Sequence, residues 1–368
     1  MARGLNRLRA LAGAAVNAVC RPLSVDRPRN PEKILVLHEL LLGDTLMLAP
    51  MLAALRYRYP SAEVFVTANA AYAGLFSEKP YDTQVLPYSE HAANGLAALE
   101  RGKDCDIAIL PGENRHALTA RALGAKWIVG FAGGRPAWRN RAVDELVPLP
   151  STPMTLADMF ALLAGPPGAG STSLRYRAGD WPAPAIVSFD LPKAPYAVLH
   201  VGAGSSLRLW EPHKWRYVAD CLAAKGICVV WSCGKTEASL LRAIDPDSNY
   251  RSYAGKLDLP QLWHLLAGAC VAITLDTGIA HMAKLTCTPT VALFGPGSAA
   301  LFGKGRFWSG NDFVEVTRAE FPCRDQCHVF KRNIDWVRRC NRTLAECPRA
   351  RCMDAIAPEQ VIAALPVE

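Results

Sequence analysis

Apolar residues in the first 150 positions occur as short, unbroken runs, a pattern typical of strands buried on both faces of a parallel sheet. The first run, Lys33–Leu37, is followed by a Gly-Asp pair and then by a helical stretch, Thr45–Tyr59, that Pro60 ends. This alternation predicts βαβ units with helices on both faces of the sheet. The further predicted elements are strands at Glu63–Thr67, Asp82–Leu86, Asp106–Leu110 and Lys126–Gly130 and a helix that includes Leu118–Leu123.

The second half repeats this scheme after a stretch rich in proline, glycine and serine, Pro148–Pro195, in which Met154–Leu163 has a helical pattern. A basic, cysteine-rich tail from Pro322 is expected to be irregular until a last helix, Pro358–Leu365. Between them, strands are predicted at Tyr196–His200, Cys228–Ser232, Val271–Leu275 and Thr290–Phe294, and helices at Lys214–Lys225, Thr236–Ala243, Pro260–Ala267 and Ile279–Leu285.

The chain therefore predicts an α/β protein with two doubly wound, Rossmann-like domains. Ligands are expected in a cleft between the domains, outside the carboxyl ends of the strands. A length of 368 residues agrees with two domains that each have their own core. The predicted parts are a basic amphipathic segment at 1–30, a first domain at 31–150, a linker at 151–195, a second domain at 196–322, and a cysteine-rich basic tail with a terminal helix at 323–368.

Charge and composition narrow the choice of partners. The chain is 51% hydrophobic with a formal net charge of +8, which suits an anionic partner such as a nucleotide diphosphate, a phosphorylated lipid head group or an acidic membrane. It has no nucleic-acid recognition module, so nucleic acid is not expected. If helical, Met1–Cys20, with Arg3, Arg7 and Arg9, either lies on an anionic membrane surface or packs as a terminal helix. No segment reaches the roughly 18–20 apolar residues of a membrane span.

The strongest candidate for an anion site follows the predicted strand Val271–Leu275. Asp276, Thr277 and Gly278 come directly before a predicted helix, whose N-terminal N–H groups and dipole favour a bound phosphate. His281 stands one turn into that helix, within reach of the same phosphate, and Lys284 adds charge one turn later. The alternative is an ordinary Asp/Thr cap before a buried helix, with His281 a satisfied core residue.

Two further loops of the second half carry candidate donor-binding residues. The segment after His200 has the glycines of a phosphate loop, with Gly202 and Ser206 as candidates, but lacks the full G-x-G-x-x-G pattern. Arg208 is placed to balance the charge of a leaving diphosphate, unless it is an ordinary surface arginine. Glu237 is placed to accept hydrogen bonds from a ribose diol, unless it only favours the dipole of its helix.

In the first half, the Gly43-Asp44 pair separates the first strand from the first helix. Asp44 is a candidate general base that takes a proton from an acceptor hydroxyl. The alternative is the N-cap of the helix, and the local sequence does not separate the two. Gly43 is counted with the donor-binding residues.

Three stretches together resemble glycosyltransferase family 9, which includes the ADP-heptose:lipopolysaccharide heptosyltransferases. They are Ile34–Pro50 with its Gly-Asp, His200–Trp210 with its Gly-Ala and Arg-x-Trp, and Leu275–Pro296 with its Asp-Thr-Gly-x-x-His and Phe-Gly-Pro. The resemblance implies a GT-B fold and inversion at the anomeric carbon without a metal ion. It assigns the catalytic base to Asp44, the donor phosphates to Thr277, Gly278 and His281, the shape of that loop to Asp276, and the ribose to Glu237.

Two positions depart from the family pattern. Arg208 stands where the family usually has lysine. Arginine keeps the positive charge, but its side chain differs from lysine in reach and shape. The first loop is His38–Leu42, whereas the family loop is often richer in serine or arginine. The first departure concerns the identity of the sugar donor, and the second concerns recognition of the acceptor.

Five of the twelve cysteines crowd into the tail, with spacings that do not match the paired Cys-x2-Cys zinc pattern. Three states stay open: a structural zinc or iron site, free thiols, or disulfides. Cysteine-rich tails also occur within the family that the chain resembles. The candidate metal ligands are Cys323, Cys327, Cys340, Cys347 and Cys352.

These observations predict a cytoplasmic, metal-independent inverting glycosyltransferase at the inner face of the inner membrane. It would move a heptose from a nucleotide-diphosphate donor, ADP-heptose by resemblance, to the anionic glycolipid of the lipopolysaccharide inner core. No cofactor is expected for the chemistry. The alternatives are the same chemistry on a protein or another glycan, a nucleotide-sugar epimerase, and a non-catalytic binder of GT-B type.

Overall fold

The computed structural model describes residues 26–92, 95–165, 174–193, 195–318 and 320–366. The chain forms two compact units. The first comprises residues up to Thr152 together with Leu156–Leu174 and His328–Asp335. The second comprises Pro153–Thr155, Arg175–Cys327 and the residues from Trp336 onwards.

The first unit is built around a six-stranded sheet in which every pairing is parallel. Continuous apolar runs such as Ile34–Leu37 are fully buried, as expected of strands covered on both faces. The strands are β1 Lys33–Val36, β2 Glu63–Ala68, β3 Thr83–Pro87, β4 Ile107–Leu110, β5 Trp127–Phe131 and β6 Glu145–Val147, and the helices are α1 Leu42–Leu46, α2 Ala49–Arg58, α3 Ala117–Ala122 and α4 Leu156–Leu162. Single 3-10 turns cover Ala70–Phe76, Pro80–Asp82, Ala97–Gly102, Asn114–His116 and Ala137–Ala142.

The second unit contains another six-stranded, fully parallel sheet. Its strands are β7 Tyr196–His200, β8 Cys228–Ser232, β9 Arg251–Ser252, β10 Val271–Leu275, β11 Thr290–Phe294 and β12 Phe313–Thr317. Its helices are α5 Pro212–Ala224, α6 Leu241–Ile244, α7 Leu259–Ala267, α8 Gly278–Leu285 and α9 Ala299–Phe302, with 3-10 turns at Ser206–Arg208 and Lys235–Leu240. The chain continues through a short hairpin, β13 His328–Val329 and β14 Arg332–Asn333, to α10 Arg351–Asp354 and α11 Pro358–Ala363.

The two sheets share one strand order. The first runs β3-β2-β1-β4-β5-β6, and the second runs β9-β8-β7-β10-β11-β12 when it is read in the same sense. In each sheet the order reverses beside the first strand, between β1 and β4 and between β7 and β10. Such reversals open a crevice at the carboxyl ends of the strands, where doubly wound proteins bind ligands.

The end of the chain closes the core of the second unit. Val361 of α11 and Ile356 before it belong to the same buried cluster as Trp215 of α5. The Trp210 indole donates a hydrogen bond of 3.0 Å to the Ile356 carbonyl, and the buried Lys214 ammonium donates one of 3.2 Å to the same carbonyl. The segment after the cysteines is therefore an integral part of this unit.

Several predicted elements need correction. The predicted helix Thr45–Tyr59 is divided into α1 and α2. The Leu48 N–H bonds the Thr45 carbonyl, and Pro50, which has no N–H, lies in the first turn of the new helix that begins at Ala49. The strands β6, β9 and β12 were missed because they are short or only partly buried edge strands. The tail predicted to be irregular contains β13, β14 and α10.

The hairpin of β13 and β14 belongs to the first unit, although the segments before and after it belong to the second. Arg332 anchors it there, because its side chain is fully buried and donates to the carbonyls of Gly112, Ala132 and Phe131. Burial lowers the pKa of this guanidinium to about 10. The segment predicted as a linker is likewise divided, since 156–174 belongs to the first unit and 175–195 to the second.

The predicted basic amphipathic segment lies almost entirely in residues 1–25, outside the described residues. Among the helices that the structure describes, none is long and apolar enough to cross a membrane.

Candidate functional site

The loops after β7 and β10 begin side by side, because His200 and Thr274 are partners in the parallel register of the two strands. Arg208 joins the loops. Its Nη1 donates a hydrogen bond of 2.6 Å to the backbone carbonyl of Asp276 and lies 3.9 Å from Asp276 Oδ2. The structure therefore brings together two of the predicted stretches, and it places Arg208 half-buried between them and not on an open surface.

Asp276 is buried at the end of β10, with 4% of its surface exposed. Within the described ranges, its Oδ2 has no hydrogen-bond partner. Burial raises the pKa of this carboxyl, against the opposing charges of Arg208, Arg339 and Lys284. Gly297 allows this packing, since a Cβ there would lie 1.8 Å from Asp276 Oδ2.

Thr277 is the N-cap of α8, and its hydroxyl accepts a hydrogen bond of 3.3 Å from the Ile279 N–H. Gly278 is the first residue of this eight-residue helix. The capping alternative for Thr277 is therefore confirmed. The cap is compatible with an anion site, because the remaining N–H groups of the first turn and the helix dipole still favour negative charge.

His281 lies in the first half of α8 and is 4% exposed. It is buried, but it is not a satisfied core residue: its Nδ1 has no hydrogen-bond partner among the described residues. Burial first, and then the charges of Lys284 and Arg208, hold the pKa of the imidazole well below its usual value. The ring is therefore neutral at physiological pH, with one nitrogen able to donate and one to accept.

Lys284 adds positive charge near Asp276 and His281, as predicted, but it does so from inside the core. Its side chain is 1% exposed, and its ammonium donates to the backbone carbonyls of Phe302, at 2.9 Å, and Gly303. The Nζ also lies 5.1 Å from the centre of the Trp308 ring and 4.7 Å from that of Phe313. The residue is a buried support of the unit, because its carbonyl partners and aromatic faces satisfy its charge inside the core.

Glu237 ties the β7 loop to the β8 loop. Its Oε1 accepts a hydrogen bond of 2.6 Å from the Ala203 N–H, and its Oε2 accepts one of 3.1 Å from the Gly234 N–H. Gly202 lies against this carboxylate, since a Cβ there would come within 2.1 Å of Oε2. The first-turn alternative is confirmed in part, as Glu237 lies in the first turn of its 3-10 segment and closes a capping box there. Ser206 is exposed at the start of the turn that carries Arg208.

Asp44 is the third residue of α1 and is half-buried. The N-cap of α1 is Leu41, which makes no side-chain cap bond, so the predicted capping alternative for Asp44 is wrong. Gly43 lies in the first turn beside it, and its carbonyl accepts from the Met47 N–H at 3.0 Å. The pKa of the nearby Tyr72 is raised, by burial first and also by the negative charge of Asp44.

Sequence reasoning missed an ion-pair network beside this loop. Arg115, after β4, bonds Glu39, after β1, at 3.2 Å and lies 3.3 Å from the carboxylate of Glu90, after β3. Glu39 also accepts from the Ser89 hydroxyl at 2.9 Å. Each residue follows a strand whose carboxyl end meets the same edge of the sheet, which is the signal that would have found them. Because Arg115 already pairs with both carboxylates, we do not assign a metal to Glu39, Glu90 and the adjacent His91.

Four of the five tail cysteines line one cavity of about 170 Å³. They are Cys323, Cys340, Cys347 and Cys352, whereas Cys327 is not part of the lining. None of the five forms a disulfide. In the part of the chain that the structure describes, no three of the thiols lie within 4.8 Å of one another, so the cavity is wider than a closed tetrahedral thiolate site.

The cysteine cavity adjoins the predicted donor loops. Leu207, next to Arg208, and Pro296, after β11, contribute to its wall. The Cys340 N–H donates a hydrogen bond of 2.9 Å to the Pro296 carbonyl. Burial raises the pKa of both the Cys340 and the Cys352 thiols, so each favours its protonated form when no cation is bound.

Comparisons with known proteins agree with this architecture. The family model "Glycosyltransferase family 9 (heptosyltransferase)" matches residues 98–332. Lipopolysaccharide heptosyltransferase 3 of Escherichia coli is 26% identical over 311 residues, which cover 77% of this chain and 89% of that protein.

Two solved structures share the fold over nearly the whole chain. The ADP-heptose lps heptosyltransferase II of E. coli has a TM-score of 0.68 at 21% identity and covers 90% of this chain and 97% of its own. The glycosyl transferase family 9 protein of Veillonella parvula has a TM-score of 0.69 at 17% identity, with coverage of 94% and 98%. The predicted α/β fold with two Rossmann-like, doubly wound sheets of GT-B type is confirmed.

The contact between Gly202 and Glu237 gives a prediction about stability. In Gly202→Ala the new methyl group displaces the carboxylate, so the two backbone N–H groups lose their acceptor and the second unit loses about 1–2 kcal/mol in free energy of unfolding. Gly204→Ala is the matched control, because a Cβ there meets nothing within 4 Å. Urea unfolding followed by tryptophan fluorescence compares the two, and equal midpoints would show that Glu237 does not hold the loops.

Buried His200 gives a prediction about pH. Burial lowers its pKa to about 4 in the folded chain, against about 6.5 when unfolded. Between these values only the unfolded state binds the proton, so the free energy of unfolding falls as the pH falls, by about 1.4 kcal/mol per pH unit from this group. His200→Gln should reduce that slope in urea titrations at pH 4.5 to 6.5. A slope for His200→Gln equal to that of the wild type would refute the assignment.

Proposed function

Because this chain belongs to glycosyltransferase family 9, the heptosyltransferase family, we propose that it moves a heptose from ADP-heptose to the inner core of lipopolysaccharide. The chain is a glycosyltransferase. The proposal adds the donor, the acceptor and the residues that carry the reaction.

One observation carries the donor site. The N-terminus of α8 lies at the point where the strand order of the second sheet reverses. Two buried atoms beside it, Asp276 Oδ2 and His281 Nδ1, have no hydrogen-bond partner among the described residues. Leaving a buried polar group unpaired costs about 1–3 kcal/mol, so such pairs of atoms usually have a functional reason. A bound nucleotide diphosphate supplies one for His281, because its oxygens accept from the His281 ring and from N–H groups near Gly278.

The residues around this point take complementary roles in the proposal. Arg208 holds the leaving diphosphate, since its bond to the Asp276 carbonyl uses only one of the five N–H donors of its guanidinium. Glu237 binds the ribose, because each of its oxygens keeps a second lone pair after accepting from the backbone. Thr277, Gly278 and His281 contact the phosphates, Asp276 shapes their loop, and Gly43, Gly202 and Ser206 complete the donor contacts.

Asp44 is the proposed general base. The acceptor hydroxyl oxygen attacks the anomeric carbon of the donor, the bond from that carbon to the β-phosphate oxygen breaks, and the hydroxyl proton passes to the Asp44 carboxylate. The nucleoside diphosphate leaves with its electron pair stabilised by Arg208 and the start of α8. Attack opposite the leaving group inverts the anomeric centre. Catalysis by heptosyltransferases needs no cofactor, and none of these reaction steps uses one.

The relatives support the proposed acceptor. The matching E. coli protein is a lipopolysaccharide heptosyltransferase, which supports an anionic glycolipid acceptor. We place the reaction in the cytoplasm, with the enzyme associated with the inner face of the inner membrane, where a net charge of +8 favours anionic lipid. Transfer to a protein or another glycan, epimerisation and binding without catalysis are outcomes that the following assay separates.

Substitution of the base tests the mechanism. Asp44→Asn should lower acceptor-dependent release of ADP about 100-fold to 10,000-fold, because the proton then has no positioned acceptor, while the donor dissociation constant stays within about twofold. Glu78→Gln, an exposed carboxylate of the same unit, is the control and should behave like the wild type.

The control reactions decide among functions. ADP release that requires lipopolysaccharide core supports the proposal. Release that requires a protein or another glycan instead identifies that molecule as the acceptor. Conversion of the donor into an isomer identifies an epimerase, and binding without either product identifies a non-catalytic binder. Near-normal turnover of Asp44→Asn would remove Asp44 from the role of base.

We further propose that the four-cysteine cavity holds a structural zinc or iron ion. The chemistry fits, because four thiols from Cys323, Cys340, Cys347 and Cys352 face one cavity, and thiolates are preferred ligands of both metals. The open spacing of the thiols means that binding would draw them together. Such an ion would fix the tail against the β11 loop and take no part in the transfer.

Metal analysis of the purified chain tests this site. The wild type should contain about one zinc or iron ion per chain, and Cys340→Ser and Cys352→Ser should lose most of it. Cys327→Ser is the matched control, because Cys327 does not line the cavity. Absence of stoichiometric metal in the wild type, or equal loss in the Cys327→Ser variant, would overturn the assignment.

A further inference from the structure

Three cations act on one buried carboxylate at the start of α8. Burial raises the pKa of the Asp276 carboxyl, and the positive charges of Arg208, Arg339 and Lys284 oppose that rise. Arg339 comes from the tail, beyond the last strand of the second sheet, and none of the roles described above uses it. One carboxylate does not balance three cations, so this group of residues favours an anionic ligand.

The backbone at Arg339 is fixed beside the loop after β11. Arg339 and Gln326 exchange two backbone hydrogen bonds, of 2.9 and 3.1 Å. The next residue, Cys340, donates one of 2.9 Å to the Pro296 carbonyl, in the loop whose glycine packs against Asp276. The Arg339 side chain therefore starts from a fixed point next to the candidate donor site.

An aromatic ring places the Arg339 charge near His281. The guanidinium carbon lies over the Phe302 ring, 6.0 Å from its centre. The same ring meets the His281 imidazole edge-on, with 6.4 Å between the ring centres. Phe302 is itself held, because its carbonyl accepts from the buried Lys284 ammonium at 2.9 Å. The four side chains form one connected group in the second unit.

The N–H donors of Arg339 are open to a ligand. With the residues that the structure describes, its half-buried side chain makes no hydrogen bond and no ion pair. An aromatic ring offers no oxygen acceptor, so the contact with Phe302 leaves the donors of the guanidinium unused. The neighbouring Arg338 differs, since it is exposed and donates to the Val337 carbonyl at 2.8 Å.

We propose that Arg339 is a second cation for the donor diphosphate, which the tail supplies to the site. Arg208 and Arg339 both bind phosphate oxygens, and they share the negative charge that grows on the diphosphate as its bond to the anomeric carbon breaks. The tail thus takes part in donor binding besides closing the core of the second unit. This inference rests on the proposed function and adds to the donor site a residue outside the predicted donor motifs.

Titration of ligands with and without phosphate tests the role of Arg339. The probes are ADP and inorganic pyrophosphate, titrated by calorimetry without divalent cations, and adenosine, measured by competition with ADP. Arg339→Gln should weaken the binding of ADP and pyrophosphate about tenfold, as expected for the loss of a charged hydrogen bond. Adenosine binding should change less than twofold, because adenosine has no phosphate. A merely structural role would weaken ADP and adenosine alike.

A matched variant and a kinetic measurement complete the test. Arg338→Gln removes the same charge one position earlier, from an exposed side chain, and should bind all three probes like the wild type. At saturating ADP-heptose, Arg339→Gln should also lower acceptor-dependent ADP release about tenfold, because the leaving group loses a cation. Arg338→Gln should leave this rate unchanged.

Three results would overturn the inference. They are equal affinity of the wild type and Arg339→Gln for ADP and pyrophosphate, an equal loss of adenosine binding, or the same loss in Arg338→Gln. Failure of the proposed function is recognised separately. A wild type that binds pyrophosphate but not ADP rejects the adenine nucleotide, and one that binds ADP without sugar transfer rejects the transferase reaction. In both cases the pyrophosphate titration still decides the role of Arg339.

Discussion

The parallel pairing of β7 with β10 is the constraint on which the candidate donor site depends. Because His200 and Thr274 are partners in register, both strands end at the same edge, and the loops that follow must begin as neighbours. Arg208 then reaches the Asp276 carbonyl, and Glu237 draws the β8 loop to the same edge. Three loops that are far apart in sequence are held together by two side chains and by the pairings of β7 with β8 and β10.

This arrangement buries polar groups near the start of α8. Asp276 and His281 are almost completely buried, and each has an atom without a partner among the described residues. Lys284, in contrast, is equally buried but bonds two carbonyls and lies against two aromatic rings. The contrast separates a residue whose polar group is satisfied within the fold from two that each have an unpaired atom, although all three lie within nine positions of the chain.

The sequence was most informative where burial is continuous. The central strands β7, β8, β10 and β11 match their predicted bounds, because an unbroken apolar run of this length is typical of a strand covered on both faces of its sheet. Edge strands such as β9 and the hairpin of β13 and β14 were not predicted, since two-residue strands leave no periodic signal. Pro50 is a signal for the break between α1 and α2, but the apolar residues on both sides of it favoured the prediction of one continuous helix.

The residues of the candidate site could be proposed from the sequence, but the contacts among them could not. The spacing of Asp276, Thr277 and His281 indicated an anion site, yet sequence alone did not show that Arg208 bonds the Asp276 backbone or that Glu237 links two loops. Such bonds join positions more than 30 residues apart, which no local pattern encodes. The convergence of four cysteines and the exclusion of Cys327 depend on tertiary packing in the same way.

We propose that the second unit holds the sugar nucleotide through the loops after β7, β8 and β10. Hydrogen–deuterium exchange with and without ADP-heptose measures it most directly. We expect slower exchange of the amides at 201–208, 234–237 and 276–281, with the α3 and α4 amides of the first unit unchanged. Slower exchange confined to the first unit, or none at 276–281 under saturating donor, would contradict the account.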